Sequence, residues 1–163
     1  MMQRLDVRGF TGTLMKAVAA AGTTTTYSTT GVTQYSIDGK AYSKAAVTNG
    51  ATPTTDINTG AAFLPLAANK GCKFVFGYDS SNTVRVAQGP IVDLDGAADG
   101  ANASFVTKAA FPQLPDDFAP FAYLETKVGA SGSSWTFGAS NLAGPPSNVL
   151  HTFVDVTTLP TRP

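Results

Sequence analysis

A chain of 163 residues with eleven basic and eleven acidic side chains has the size of one domain. It lacks the basic excess with which nucleic-acid binders neutralise phosphates, so no nucleic-acid partner is expected. A single cysteine, Cys72, excludes an intrachain disulfide framework, while an apolar fraction of 43% is enough for a packed core.

Strong helix formers are scarce, and β-branched and aromatic residues are plentiful, which points to an all-β or mainly-β class. The expected architecture is a β-sandwich or barrel of short antiparallel strands, preceded by a short N-terminal helix or arm. Residues 1–30 read as that arm with a Thr-rich linker, and 31–163 as a single β domain. Low charge with abundant Ala, Thr, Gly and Ser suits a surface buried against partners, because charged residues are depleted at interface cores.

Residues 1–9 are mixed polar and read as an extended arm. Arg4 and Arg8 ahead of Leu14–Ala21 loosely imitate a secretory signal, but Lys16 interrupts the apolar stretch, and no cleaved signal is expected. Leu14, Ala17, Val18 and Ala21 share one helical face, and Gly22 is a natural stop, so the spacing predicts a helix over Phe10–Ala21. Thr23–Thr30 reads as a linker or an edge strand. Asp38-Gly39 between the alternating runs Val32–Ile37 and Lys40–Ser43 predicts a hairpin, since a type I′ turn needs positive φ at both central residues.

The turn-rich stretch Val47–Gly60 is expected to be a surface loop. Cys72–Tyr78 and Thr83–Gln88 form a second predicted hairpin across Asp79–Asn82. Ile91, Val92 and Leu94 suggest a short strand, and Asp95–Ala103 an exposed loop. In Phe121–Val128, the residues Ala122, Leu124, Thr126 and Val128 alternate with Phe121, Tyr123, Glu125 and Lys127; Val149–Val156 alternates likewise. Apolar residues on both faces of these strands suit a sheet held between layers or against neighbouring subunits. No stretch approaches the length of a transmembrane helix.

The inventory of reactive groups is thin. His151 is the only histidine; it falls inside a strand pattern, and a structural role is favoured over a general base because no nucleophile motif accompanies it. Asp93, Asp95 and Asp99 in DLDGAADG faintly resemble a calcium loop, but the closing bidentate glutamate is missing. Asp116 and Asp117 follow Pro115 and read as the start of a turn or helix rather than a catalytic pair. Asn102-Ala103-Ser104 matches the N-glycosylation pattern, which matters only in a glycosylating host. Cys72, between apolar neighbours, reads as a buried small hydrophobe. Trp135, Phe137, Tyr123 and Phe121 either build an aromatic core or offer a platform for sugars, and the core is favoured. No catalytic residue, metal site or cofactor is expected.

Five segments carry a resemblance: YSIDGKAY (Tyr35–Tyr42), FLPLAANKGCKFVFGYD (Phe63–Asp79), VRVAQG (Val84–Gly89), FPQLPDDFAPFAYLETKV (Phe111–Val128) and the terminal HTFVDVTTLPTRP. Together they resemble small structural proteins of tailed bacteriophages, in particular head decoration (cement) and minor capsid proteins. The resemblance implies a β-rich, non-enzymatic virion protein. It would bind the outer capsid surface, often as a homotrimer, bridge capsomers of the major capsid protein, and be assembled in the cytoplasm of a bacterial host. A carbohydrate-binding or structural module of a phage tail or fibre is the alternative. Contact residues chosen from this sequence are Phe10, Leu14 and Val18 in the N-terminal segment, with Phe121, Tyr123 and Phe153 in the last third of the chain.

Overall fold

Long alternating runs of aromatic and β-branched residues in the middle and last third of the chain give the two longest strands, and the rest of the fold is built on them. The computed structural model describes residues 9–159. In chain order the strands are β1 Gly12–Thr13, β2 Ala19–Ala21, β3 Thr26–Thr29, β4 Thr33–Ile37, β5 Lys40–Lys44, β6 Val47–Ala51, β7 Lys70–Tyr78, β8 Val84–Gln88, β9 Val92–Asp93, β10 Ala119–Val128 and β11 Val149–Asp155. They form three antiparallel sheets that pack together in the manner of a β-sandwich, with no helix among the described residues.

The central sheet runs β11-β10-β7-β8, and β9 adds to the start of β7. β10 pairs with β7 from Ala119 opposite Tyr78 to Val128 opposite Lys70, and with β11 from Ala122 opposite Asp155 to Val128 opposite Val149. Two small sheets, β1-β4-β5 and β2-β3-β6, complete the fold. The Asp38-Gly39 hairpin forms as the sequence predicts, joining β4 to β5 with φ of 48° and 76° at the two turn residues. The β7–β8 hairpin forms as well. In its turn the Asp79 carboxylate accepts from the Ser81 and Thr83 amides and from the Arg85 guanidinium. Burial pushes that carboxyl up, and these donors outweigh it, holding the group below the usual carboxylate range.

The core lies on one face of the central sheet. Phe74, Phe76 and Tyr78 of β7 meet Phe121, Trp135 and Phe137, all at most 2% exposed. Phe74 stacks on Phe137 with centroids 5.0 Å apart, and Tyr78 on Phe121 at 4.6 Å; such pairs add about 0.5–1.5 kcal/mol each beyond their area burial. Tyr27 of β3 and Tyr35 of β4 enter the same cluster. The Tyr35 hydroxyl lies 3.0 Å from the Asp79 carbonyl and 2.8 Å from Asn82 Oδ1, which ties the β1-β4-β5 sheet to the β7–β8 turn.

The opposite face of the central sheet is covered by the chain's own connection between β9 and β10. Phe105 lies against Gly71 and Phe118 against Gly77, close enough that a Cβ on either glycine would meet the ring. The Phe111 ring packs edge-on against Tyr123 with centroids 5.0 Å apart, and Lys73 Nζ lies 4.5 Å from the Phe111 centroid. Lys127 Nζ donates to the Ala103 carbonyl. Apolar residues on both faces of β7 and β10 are therefore accounted for within one chain: a core on one side and an irregular cover on the other.

Three expectations for the first half are corrected. Phe10–Ala21 is not a helix; β1 and β2 occupy it. Thr13 is β-branched, and its hydroxyl donates 2.6 Å to the Pro120 carbonyl, a bond that holds the segment extended across the end of β10. The short apolar residues that fit a helical face are also those that a small edge strand tolerates. Thr23–Thr30 is not a linker, because β3 is the middle strand of β2-β3-β6. Nor is Val47–Gly60 all loop, since Val47–Ala51 is β6. The described part of the expected 1–30 arm is thus woven into sheets, while residues 1–8 and 160–163, which include the rest of the arm and the C-terminal tail, lie outside the described residues.

Candidate interaction surface

Folding places Leu14 directly after β1, where its amide donates 2.8 Å to the Gln34 carbonyl and so prolongs the β1–β4 pairing by one residue. The chain then turns inward at Ala17, which is fully buried, and again at Ala19, whose amide donates 2.7 Å to the Asp155 carboxylate. Burying both alanines leaves Val18 between them pointing outward, with φ of 48°. A β-branched side chain in the left-handed region costs on the order of 1–2 kcal/mol.

The result is a run of large apolar side chains that the fold leaves in solvent. Phe10, Leu14, Met15, Val18 and Val32 are each between 49% and 54% exposed. Leu64 and Val106 are the other strongly exposed large apolar residues among the described ones. Five of these seven thus fall within residues 10–32, a stretch that holds β1, β2 and β3 and ends at the entry to β4, and Lys16 is the one charged residue between Phe10 and Val32. Exposed apolar surface, where it is concentrated, marks contact sites.

The other chosen contact residues fare differently. Phe121 is wholly buried against Tyr78 and Tyr27 and cannot reach a partner, so it leaves the contact set. A β-bulge between Pro120 and Ala122 makes Phe121 the unpaired extra residue of β10 and turns its ring into the core. Tyr123 is half-buried beneath Phe111 and Lys73. Phe153 is half-buried at the rim of the core, 5.7 Å from Phe76 between centroids. The structure therefore leaves Phe10, Leu14 and Val18 exposed and commits the three later residues wholly or partly to internal packing. Met15 and Val32 are exposed to the same degree; Val32 directly precedes β4, the partner of β1, a relation that a helical reading of Phe10–Ala21 does not reveal.

The aromatic run offers no platform for sugars. Trp135 and Phe137 are buried, and Trp135 Nε1 donates 2.9 Å to the Asn141 carbonyl. His151 lies against Trp135 with ring centroids 4.6 Å apart, and its Nδ1 is 3.0 Å from Thr126 Oγ1. Burial lowers its pKa to about 4, which keeps the ring neutral at ordinary pH. Cys72 is fully buried, and burial pushes its thiol up to about 12, which removes the thiolate needed for reactivity.

The acidic loop is likewise self-contained. Asp93 pairs with Lys70, while the carboxylates of Asp95 and Asp99 accept from the amides of Ala97 and Ala101. No group of three or more His, Cys, Asp or Glu side chains among the described residues could hold a metal ion, and no helix among them is long and apolar enough to cross a membrane.

Comparison of the chain with protein-family models, with curated proteins and with solved structures found no match.

Proposed function

We propose that this chain is a structural protein of a tailed-phage particle that binds the outer capsid surface and stabilises the shell by bridging capsomers, acting as a homotrimer. The observation that carries the reading is the set of exposed large apolar side chains Phe10, Leu14, Met15, Val18 and Val32, concentrated in one stretch of the chain. The resemblance of five segments to decoration proteins supplies the identity of the partner, the major capsid protein. A shell multiplies one modest contact over many copies, so an apolar surface of this size is sufficient without a deep pocket. Sparse charge around it lowers the desolvation cost of docking.

Cryo-electron microscopy of the parent particle tests this reading. Density for three copies around a quasi-threefold position on the head, with residues 10–18 against the shell, is the expected result. Density on the tail would instead favour a structural module of the tail or fibre and defeat the head assignment. In solution, light scattering should give the mass of three chains. Leu14→Ser with Val18→Ser should leave the melting temperature nearly unchanged, since both side chains are already half in water, while abolishing attachment to purified shells.

A further inference from the structure

A cleft of about 570 Å³ opens between the tight loop Thr55–Ala62, the chain leaving β8, and the Phe111–Gln113 segment. It lies outside the apolar surface described above, and none of the roles assigned so far uses it. Its walls are mostly apolar: Ala62, Leu64, Pro90, Ile91, Phe111 and Pro112. One carboxylate, that of Asp56, lines it, and the residue is only 7% exposed.

The two oxygens of Asp56 are used differently. Oδ1 accepts from the Asn58 amide at 3.1 Å and from the Gln88 amide at 3.4 Å, which fixes the side chain. Oδ2 has no donor and no ion-pair partner among the described residues, and the residue lines the cleft. Lys73, the basic residue beside Phe111, faces Glu125 at 3.9 Å. An immobilised carboxylate with one unpartnered oxygen, in apolar walls and without a counter-ion, favours a cation in that position.

The remaining polar groups narrow the choice of ligand. Both polar atoms of the Gln88 side chain are taken by the Leu64 backbone, and Asn58 Nδ2 donates to the Gln113 carbonyl. Thr59 Oγ1 accepts from the Ala61 amide. A sugar needs several free donors and acceptors spread around its ring, and this cleft has committed most of its own. A single cation on an apolar stem needs one carboxylate and hydrocarbon walls, which are what the cleft presents.

We propose that this cleft binds a lysine or arginine side chain presented by a partner polypeptide, with Asp56 as the counter-ion and the Leu64, Ile91 and Phe111 walls around the stem. The inference is independent of the capsid reading and survives if that reading fails.

Two-dimensional amide NMR of the full chain tests it. The probes are the blocked peptides acetyl-Ala-Lys-Ala-amide and acetyl-Ala-Arg-Ala-amide, with n-butylammonium and the norleucine peptide as comparisons. One of the basic peptides should give saturable shifts at Asn58, Gly89 and Ile91 with a dissociation constant of about a millimolar, the range of a single small anchor. The norleucine peptide, and Asp56→Asn with the basic peptide, should each bind at least about 10-fold more weakly, the loss expected for a charge-assisted hydrogen bond. Asn at position 56 keeps the oxygen that accepts the two amides, so the loop should persist. Should that variant unfold, Ala62→Trp, which leaves Asp56 in place and adds bulk at an exposed lining position, should occlude the cleft and abolish the shifts. Absence of saturable shifts, equal binding of the norleucine peptide, or undiminished binding to a folded Asp56→Asn would overturn the proposal. Binding of n-butylammonium without either peptide would overturn the polypeptide assignment.

Discussion

The Thr13 hydroxyl donates to the Pro120 carbonyl across 2.6 Å, joining residues 107 positions apart in the chain. Pro120 lies at the bulge of β10, opposite Gly77 of β7, so the N-terminal segment is anchored to the central sheet where its ladder is irregular. Thr13 is 1% exposed and Pro120 is buried, which leaves water no ready access to the carbonyl. Thr13→Val keeps the shape and removes the donor. It should cost about 1–3 kcal/mol, the penalty for an unpaired buried acceptor. Urea titration should show a lower midpoint with an unchanged slope, whereas Thr13→Ser should recover most of the loss. An unchanged midpoint in the valine variant would remove this bond as the anchor of β1.

The same bulge decides the fate of Phe121. With its ring 4.6 Å from Tyr78 and fully buried, Phe121→Ala should destabilise the fold by about 3–5 kcal/mol, through lost transfer energy and an unfilled cavity. Phe153→Ala, at a half-buried rim position, should cost clearly less. Thermal or chemical denaturation of the two variants gives the comparison, and a larger loss for Phe153 would contradict the placement of the bulge.

These residues also mark how far the sequence could be read. Strict alternation correctly separated Ala122, Leu124, Thr126 and Val128, all fully buried, from the half-buried Tyr123, Glu125 and Lys127. It failed at Phe121, because one inserted residue reverses the face and leaves no compositional trace. Both hairpins were legible from turn chemistry, which is local. The N-terminal strands were not, because two- and three-residue strands such as Gly12–Thr13 and Ala19–Ala21 are stabilised by distant partners, namely Pro120 and Asp155. Of the exposed apolar residues, Phe10, Leu14 and Val18 could be picked out from the sequence, but a helical reading gave no reason to link them with Val32 at the entry to β4, the partner of β1. Asp56 stood within a stretch expected to be loop, and only tertiary structure shows that its second oxygen is left without a partner.

Close packing of the β9–β10 connection on β7 gives a third prediction. A Cβ at Gly77 would lie 2.5 Å from the Phe118 ring and 2.7 Å from the Ala119 carbonyl. Neither can move freely, since Phe118 is buried and Ala119 is within β10. Gly77→Ala should therefore destabilise by about 1–3 kcal/mol, as overpacking does. At Gly31 the added Cβ meets nothing within 4 Å, so Gly31→Ala should be neutral or stabilise by up to about 1 kcal/mol, through the unfolded chain. Paired melting curves check both, and a neutral Gly77→Ala would mean that the cover does not press on the sheet.

His151 should make stability fall on acidification in a defined window. Burial among Trp135, Thr126 and the core lowers its pKa from the ordinary 6.5 to about 4. Above about pH 6.5 the ring is neutral in both the folded and unfolded chain, and its contribution is complete. Between 6.5 and about 4 the unfolded chain takes up a proton that the folded chain does not, so stability decreases as pH decreases. Below about 4 both states carry the proton, and this group adds no further slope. The full effect is at most roughly 3 kcal/mol, and less because the ring is only partly shielded from water. His151→Gln removes the titrating ring while leaving the carboxylates, Asp79 among them, to contribute their own acid sensitivity at lower pH. Urea midpoints measured between about pH 7 and about pH 4.5 should fall more steeply for the native chain than for the variant. Parallel curves would show that His151 titrates as it would in water, and that its packing against Trp135 does not exclude the imidazolium.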